Sequence, residues 1–130
     1  MPIRLHAEDP ALLGRAIEFT ARKTGFGLRL VEKDYFCSVA LEYLSATCPA
    51  LIFKGGTCLS KIHSGFHRLS EDLDFAISTA TDSKRGTRSR SAAPLKAAIE
   101  ALPEMLPGFR IIEPLAGANA STQYNATAGY

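Results

Sequence analysis

A short apolar segment followed by two glycines restricts how this chain can fold. Residues 51–53 are Leu, Ile and Phe, the composition of a short buried strand, and Gly55 and Gly56 come just after it. Because glycine has no Cβ atom, this pair permits a sharp turn and a close approach of the backbone to another group. The pattern predicts a strand, a tight turn and then a short helix over about residues 57–62.

Helical periodicity dominates the part of the chain before this strand. Asp9 followed by Pro10 predicts a helix start with Asp9 as the N-cap residue, and Gly25 and Gly27 predict its end. A second helix is expected over about residues 31–46, with one apolar stripe facing inward. The members of that stripe are Val31, Tyr35, Phe36, Val39, Tyr43 and Leu44.

Short strand patterns and polar segments alternate in the rest of the chain. Strands are predicted over residues 73–77 and 109–112, with a weaker one over 122–128. This order of elements fits α/β or α+β, and we predict α+β, with helices packed on a small mixed sheet in a single domain. The predicted parts of that domain, residues 1–130, are helices over about 10–46, a central motif over 51–77, a basic loop over 78–91, and a helix and strands over 92–130.

Composition excludes several classes of protein. The net charge is +2, from 15 Lys and Arg against 13 Asp and Glu, too mild to imply nucleic-acid binding by itself. Cys37, Cys48 and Cys58 form no CxxC pair, which argues against a disulfide framework and fits a reducing compartment. The charge-free apolar stretch 43–53 is too short to span a membrane, and the N-terminus does not resemble a signal peptide. We expect a cytoplasmic protein without membrane contact.

The glycine turn and the helix predicted after it form a candidate phosphate-binding site. The first turn of a helix presents free N–H groups and a partial positive charge to an anion. Thr57 adds a hydroxyl donor, and Lys61, four residues later, lies on the same helix face. The alternative interpretation is an ordinary strand-to-helix turn, since the full P-loop pattern is missing.

Asp72 and Asp74 form a candidate metal site. Residues two apart in a strand share a face, so both carboxylates point the same way while Leu73 and Phe75 point into the core. Two like charges side by side are unfavourable unless a cation lies between them, and oxygen ligands of this kind suit Mg²⁺. The alternative is a pair of solvated acids at the start of a strand.

The glycine turn and the acid pair together point to one kind of chemistry. A phosphate-binding turn beside a metal site provides the alignment and charge neutralisation that transfer of a nucleotide from a triphosphate requires.

Residues 31–77 resemble the AbiEii-type nucleotidyltransferase toxins of type IV toxin–antitoxin systems. These toxins belong to the DNA polymerase beta-like nucleotidyltransferase superfamily. The segments that carry the resemblance are EKDYF at residues 32–36, FKGGT at 53–57, LSK at 59–61 and RLSEDLDF at 68–75. Their combination is far more specific than a pair of glycines or two spaced acids alone.

The resemblance implies a fold, a reaction and a set of site residues. It implies a nucleotidyltransferase-like core that uses Mg²⁺ to transfer a nucleotide from an NTP to an acceptor hydroxyl, with RNA such as tRNA as acceptor and a cognate antitoxin as partner. Asp72 and Asp74 match the catalytic, metal-binding acids. The positions that match nucleotide-binding residues are Gly55, Gly56, Thr57, Ser60, Lys61 and Arg68.

Longer members of the family carry a third acid on a later strand, for which Glu113 is the nearby substitute in this sequence. We therefore expect a core that is incomplete at the C-terminus, and the sequence leaves open whether the protein is an enzyme. The alternative function is that of a non-catalytic relative, acting as a nucleotide-binding or protein-interaction module. Missing strands would leave an exposed sheet edge, which predicts a homo-oligomer.

Two further clusters have competing interpretations. Cys58, His63 and His67 could form a soft-metal site, but they include no CxxC pair and no fourth ligand is apparent. The simpler interpretation of His63 and His67 is that they are loop residues beside the active cleft. The basic residues between positions 84 and 90 could bind RNA or nucleotide phosphate, although a solvated surface loop is the simpler explanation.

Overall fold

The structure, a computed structural model, describes residues 4–54, 73–77, 85–117 and 124–130. Helices and two small sheets are mixed along these ranges, in agreement with the predicted α+β class. The strands pair as β1 with β2 and as β3 with β4. In chain order the elements are α1 (Leu5–Glu8), α2 (Pro10–Thr24), α3 (Leu28–Thr47), β1 (Leu51–Lys54), β2 (Asp74–Ile77), α4 (Arg85–Glu100), α5 (Leu102–Met105), β3 (Arg110–Gly117) and β4 (Tyr124–Gly129).

The chain divides into two compact units. The first combines Met1–Tyr43 with Phe53–Ala76, and the second combines Leu44–Ile52 with Ile77–Tyr130. Helix α3 and strands β1 and β2 each contribute residues to both units. The assignment of all 130 residues to one domain stays a prediction.

Helix α2 begins and ends at the residues that the sequence predicts. The Asp9 carboxylate accepts a hydrogen bond from the backbone N–H of Leu12 at 3.0 Å, and Pro10 occupies the first helical position. At the other end, Gly25 adopts a left-handed conformation with φ of 80°, and its N–H donates to the carbonyl of Ala21 at 2.9 Å. Both terminal signals are local, which explains why the sequence alone locates them.

Replacing Asp9 by Ala should lower the free energy of unfolding by about 1 kcal/mol, because the Leu12 N–H loses its acceptor. Urea unfolding followed by circular dichroism measures this difference. Asp9→Asn is the matched control, since an amide oxygen can also accept the bond and the variant should stay close to the wild type. Equal destabilisation by Ala and Asn would show that the cap does not stabilise the helix.

Helix α3 starts three residues before the predicted position, at Leu28. The carbonyl of Gly27 accepts a hydrogen bond from the Val31 N–H at 3.1 Å, so helical bonding already begins at the glycine. Of the predicted inward stripe, Tyr35 and Phe36 are half-buried. The remaining members, Val31, Val39, Tyr43 and Leu44, are buried.

An aromatic cluster joins α1 to α3. The ring of His6 contacts Tyr35 and Phe36 edge to face, with centroid separations of 5.8 and 5.4 Å. The backbone N–H of His6 donates to the Tyr35 hydroxyl at 3.2 Å, and Nδ1 of His6 lies 3.0 Å from the same oxygen. These contacts bury part of both rings and connect the short helix α1 to α3.

The predicted basic loop over residues 78–91 is wrong from Arg85 onward, because α4 begins there and runs to Glu100. Ser, Thr and Gly in this segment are weak helix formers, which favours a loop when the sequence is considered alone. The helix is anchored by the buried residues Ala92 and Ala98. Each residue added at its N-terminal end then contributes one further hydrogen bond, so the helix extends toward Arg85. Pro94 lies inside this helix, on its exposed side.

Strands β3 and β4 form an antiparallel hairpin. Their register pairs Arg110 with Gly129 and Gly117 with Tyr124. Strand β3 is longer than the predicted residues 109–112 and continues past Pro114, which has no N–H to donate. Register irregularities between Ile111 and Ala116 accommodate the proline, because a bulge leaves residues out of the hydrogen-bond ladder.

The core of the second unit lies beside this hairpin. Its buried side chains are Leu44, Cys48, Ala92, Ala98, Leu102, Leu106 and Phe109. Leu106 is fully enclosed, with 0% of its surface exposed. In the ranges that the structure describes, no helix is both long enough and apolar enough to cross a membrane.

Candidate functional site

The candidate site begins at the two neighbouring strands β1 and β2. Strand β1 ends at Lys54, directly before the two glycines in the sequence, and β2 begins at Asp74. The rings of Phe53 and Phe75 contact each other between the strands, with centroids 5.7 Å apart and planes inclined by 41°. This contact holds together the two ends of the segment that carries the other predicted site residues.

The small sheet has two different faces. Along β1, Phe53 is half-buried, whereas Ile52 and Lys54 are exposed. Along β2, Phe75 is half-buried and Asp74 is exposed. Because side chains alternate along a strand and the two phenylalanines meet on one face, Ile52, Lys54 and Asp74 share the opposite face. The face that carries the acid is therefore accessible to a ligand.

Asp74 is the predicted site residue that the structure describes, and it lies on β2 as expected. The other predicted site residues lie outside the described residues, as do the helix predicted over residues 57–62 and the group of Cys58, His63 and His67. The site residues concerned are Gly55, Gly56, Thr57, Ser60, Lys61, Arg68 and Asp72.

The chemistry of Asp74 fits a hard cation. Its exposed carboxylate offers oxygen ligands, which Mg²⁺ prefers, and a hydrated cation can approach it from solvent. Within residues 4–54, 73–77, 85–117 and 124–130, no group of three or more His, Cys, Asp or Glu side chains is arranged to hold a metal ion. A metal at this site would thus need ligands from the segment between β1 and β2 or from the substrate.

Glu113, the substitute considered for a third acid, lies exposed on β3. Its carboxylate accepts a long hydrogen bond from the Thr127 hydroxyl on β4, at 3.5 Å. The contact is one between paired strands of the hairpin and gives Glu113 a structural partner.

The structure describes Cys37 and Cys48, and these two residues form no disulfide bond with each other. Cys48 is buried, and this burial raises the pKa of its thiol by disfavouring the charged form. Cys48 therefore behaves as a small apolar core residue, while Cys37 on α3 is half-buried.

Sequence reasoning gave no role to Lys54. Lys54 belongs to the FKGGT segment, but residues 51–54 are Leu, Ile, Phe and Lys and show no alternation of apolar and polar residues. The sequence could have placed Lys54 on the face of Asp74 only through a predicted strand that continues one residue past Phe53. That inference also needs the Phe53–Phe75 contact, which only the structure supplies.

Comparison with known families identifies one match. The sequence model of the family described as "Nucleotidyl transferase AbiEii toxin, Type IV TA system" matches residues 40–129. The matched region includes β1, β2 and the segment between them, and it continues into the β3–β4 hairpin. It begins after the EKDYF segment of α3. No curated protein and no solved structure gives a match.

Proposed function

We propose that this chain transfers a nucleotide from an NTP to an acceptor hydroxyl, with Mg²⁺ as cofactor. The chain belongs to the AbiEii nucleotidyl transferase toxin family, because the family model matches more than half of the chain. The observation that carries this proposal is the position of Asp74. It lies exposed on β2, beside the strand that leads into the two glycines.

Each predicted residue has a role in the proposed reaction. Asp72 and Asp74 would hold Mg²⁺, which supplies charge neutralisation at the phosphates and fixes their orientation. The turn at Gly55 and Gly56 would bring backbone N–H groups to the triphosphate, with the Thr57 hydroxyl as a further donor. Ser60, Lys61 and Arg68 would complete the nucleotide contacts.

The proposed acceptor is RNA, such as the end of a tRNA. Helix α4 supports this proposal because it brings Arg85, Arg88 and Arg90 within its first two turns. Three arginines so closely spaced favour a phosphate backbone as a partner. A cognate antitoxin is the proposed protein partner. The cytoplasm is the proposed location, since that compartment supplies NTPs and tRNA.

One observation favours a second candidate, a nucleotide-binding or interaction module without turnover. Glu113 is the nearby substitute for a third acid, and its carboxylate contacts Thr127 within the hairpin. Two acids can bind a metal ion, but they provide no separate base for the attacking hydroxyl. NTP binding without transfer would identify this function.

The experiment that tests the proposal is isothermal titration of each NTP, with and without Mg²⁺. We expect binding that depends on Mg²⁺ and favours some bases. Transfer is then followed with an NTP labelled at the α-phosphate and a pool of tRNA, with pyrophosphate release as a second readout. Failure of every NTP to bind with Mg²⁺ present would contradict both the enzyme and the nucleotide-binding module, and it would favour the protein-interaction module.

Self-association through the hairpin is a further part of the proposal. Strand β4 carries neither a charged residue nor a proline, whereas β3 carries Arg110, Glu113 and Pro114. Charges and prolines at a sheet edge oppose pairing with another chain, so β4 is the more favourable edge for a second copy.

Ala126→Lys should therefore weaken self-association, because it places a charge on the exposed surface of β4. Light scattering over a concentration series measures the effect, and we expect a shift of about tenfold or more in the dimer dissociation constant, that is, about 1.4 kcal/mol. Ala93→Lys, on the exposed side of α4, adds the same charge elsewhere and is the control. A wild-type monomer at every concentration would contradict the prediction.

A further inference from the structure

Lys54 shares the exposed sheet face with Asp74. The Phe53 and Phe75 rings lie 5.7 Å apart, which requires both side chains to occupy the same face of the β1–β2 pair. Lys54 follows Phe53 and Asp74 precedes Phe75, so both residues belong to the other face. Lys54 and Asp74 are exposed and the two phenylalanines are half-buried, as this assignment requires, while Ala76, the small residue that shares the face of Asp74, is half-buried.

The pairing of the strands also limits the separation of the two charges. If Phe53 and Phe75 lie opposite each other, Lys54 lies either opposite Asp74 or one diagonal step from it. The corresponding Cβ separations in sheets are about 5 Å and about 7–8 Å. A lysine side chain is long enough to bring its ammonium group to a ligand bound at Asp74 in either arrangement.

This face does not belong to the described core. Ile52, the neighbour of Lys54 on the same face, is 53% exposed despite being apolar. An ammonium group here keeps its hydration and carries no desolvation penalty, so its charge is available to an incoming anion.

We propose that Lys54 binds the phosphate groups of the nucleoside triphosphate, on the same sheet face as the metal-binding acid. The inference rests on the proposed nucleotidyl transfer and extends it by a residue from β1. The ammonium group donates hydrogen bonds to phosphate oxygens, whereas the carboxylate of Asp74 would contact the metal ion. The Lys54 ammonium group and the metal ion would together neutralise the negative charge of the triphosphate.

A purely structural role for Lys54 predicts something different. As a surface partner of Asp74 it would contribute little to stability, and its removal would leave nucleotide affinity unchanged. Comparing a nucleoside monophosphate with the triphosphate separates the two roles. If Lys54 contacts the phosphates, its removal should weaken binding of the triphosphate more than binding of the monophosphate.

The test is isothermal titration of Lys54→Met with the NTP that the wild type binds best and with its monophosphate, both with Mg²⁺. We expect the dissociation constant for the triphosphate to rise by about tenfold to a hundredfold, as for a hydrogen bond to a charged group, and that for the monophosphate to rise less. Lys54→Arg, which retains the charge, should recover most of the affinity. Lys96→Met removes the same charge from the exposed side of α4 and should bind as the wild type does.

The outcomes separate the two proposals. If the wild type binds the NTP with Mg²⁺ and Lys54→Met binds it equally well, the role of Lys54 is overturned and the proposed function stands. If the wild type binds no NTP, both proposals fail. Circular dichroism checks the fold of each variant, and Lys54→Gln replaces the Met variant in the comparison if the latter unfolds.

Discussion

Replacing Asp74 by Asn is expected to abolish the Mg²⁺-dependent part of NTP binding and, with it, nucleotidyl transfer. The amide keeps the shape of the side chain but removes the negative charge that a hard cation requires. Metal ions supply several kcal/mol of charge stabilisation in such reactions, so the transfer rate should fall by about a hundredfold or more. Titration calorimetry with and without Mg²⁺, followed by the transfer assay, measures both effects.

The fold should be unaffected by this substitution. Asp74 is exposed, and exposed substitutions change stability by only about 0.5 kcal/mol. Glu104→Gln removes the same charge from an exposed position on α5 and is the matched control. We expect Asp72→Ala to reproduce the loss of transfer. A fully active Asp74→Asn protein would contradict the assignment of the metal site.

Replacing Leu106 by Ala is expected to cause a large loss of stability. Leu106 is 0% exposed, between α5 and β3. Truncation of a fully buried leucine removes apolar contacts and leaves a cavity, at a cost of about 2–5 kcal/mol. Urea unfolding at a fixed temperature measures the change, and the unfolding midpoint should move to a clearly lower urea concentration.

The adjacent residue provides a control for this prediction. Met105 has 58% of its surface exposed, so Met105→Ala should change the free energy of unfolding by only about 0.5 kcal/mol. The two residues are adjacent in the chain and differ strongly in burial, so a difference between the variants reports the effect of packing. Similar losses for both would show that Leu106 does not anchor the core of the second unit.

The elements that the sequence predicts well are those whose signals are local. Asp9 with Pro10 and Gly25 each determine one end of α2 through bonds to residues three or four positions away. Strands β1 and β2 were also predicted within one residue at each end, because short apolar segments beside turn residues mark them clearly. The AbiEii resemblance is confirmed by the family match over residues 40–129.

The predicted and observed elements differ where tertiary contacts, and not local sequence, determine the secondary structure. The start of α4 at Arg85 and the extension of β3 past Pro114 both go against local preference. Packing of Ala92 and Ala98 supports the former, and pairing with β4 supports the latter. The face shared by Lys54 and Asp74 depends on a ring contact between residues 22 positions apart, which no local pattern contains. The roles of the glycine turn, of Asp72 and of Asp74 stay predictions.

The contact between Phe53 and Phe75 has a consequence for the entropy of ligand binding. Bringing the two ends of a long connection together costs conformational freedom, and that cost grows with the length of the connection. Here the two ends are already held together by the contact between Phe53 and Phe75, so this conformational entropy is lost during folding and not when the proposed nucleotide binds. A ligand held by residues from both ends therefore finds them already close in space, and more of its interaction energy is retained as affinity.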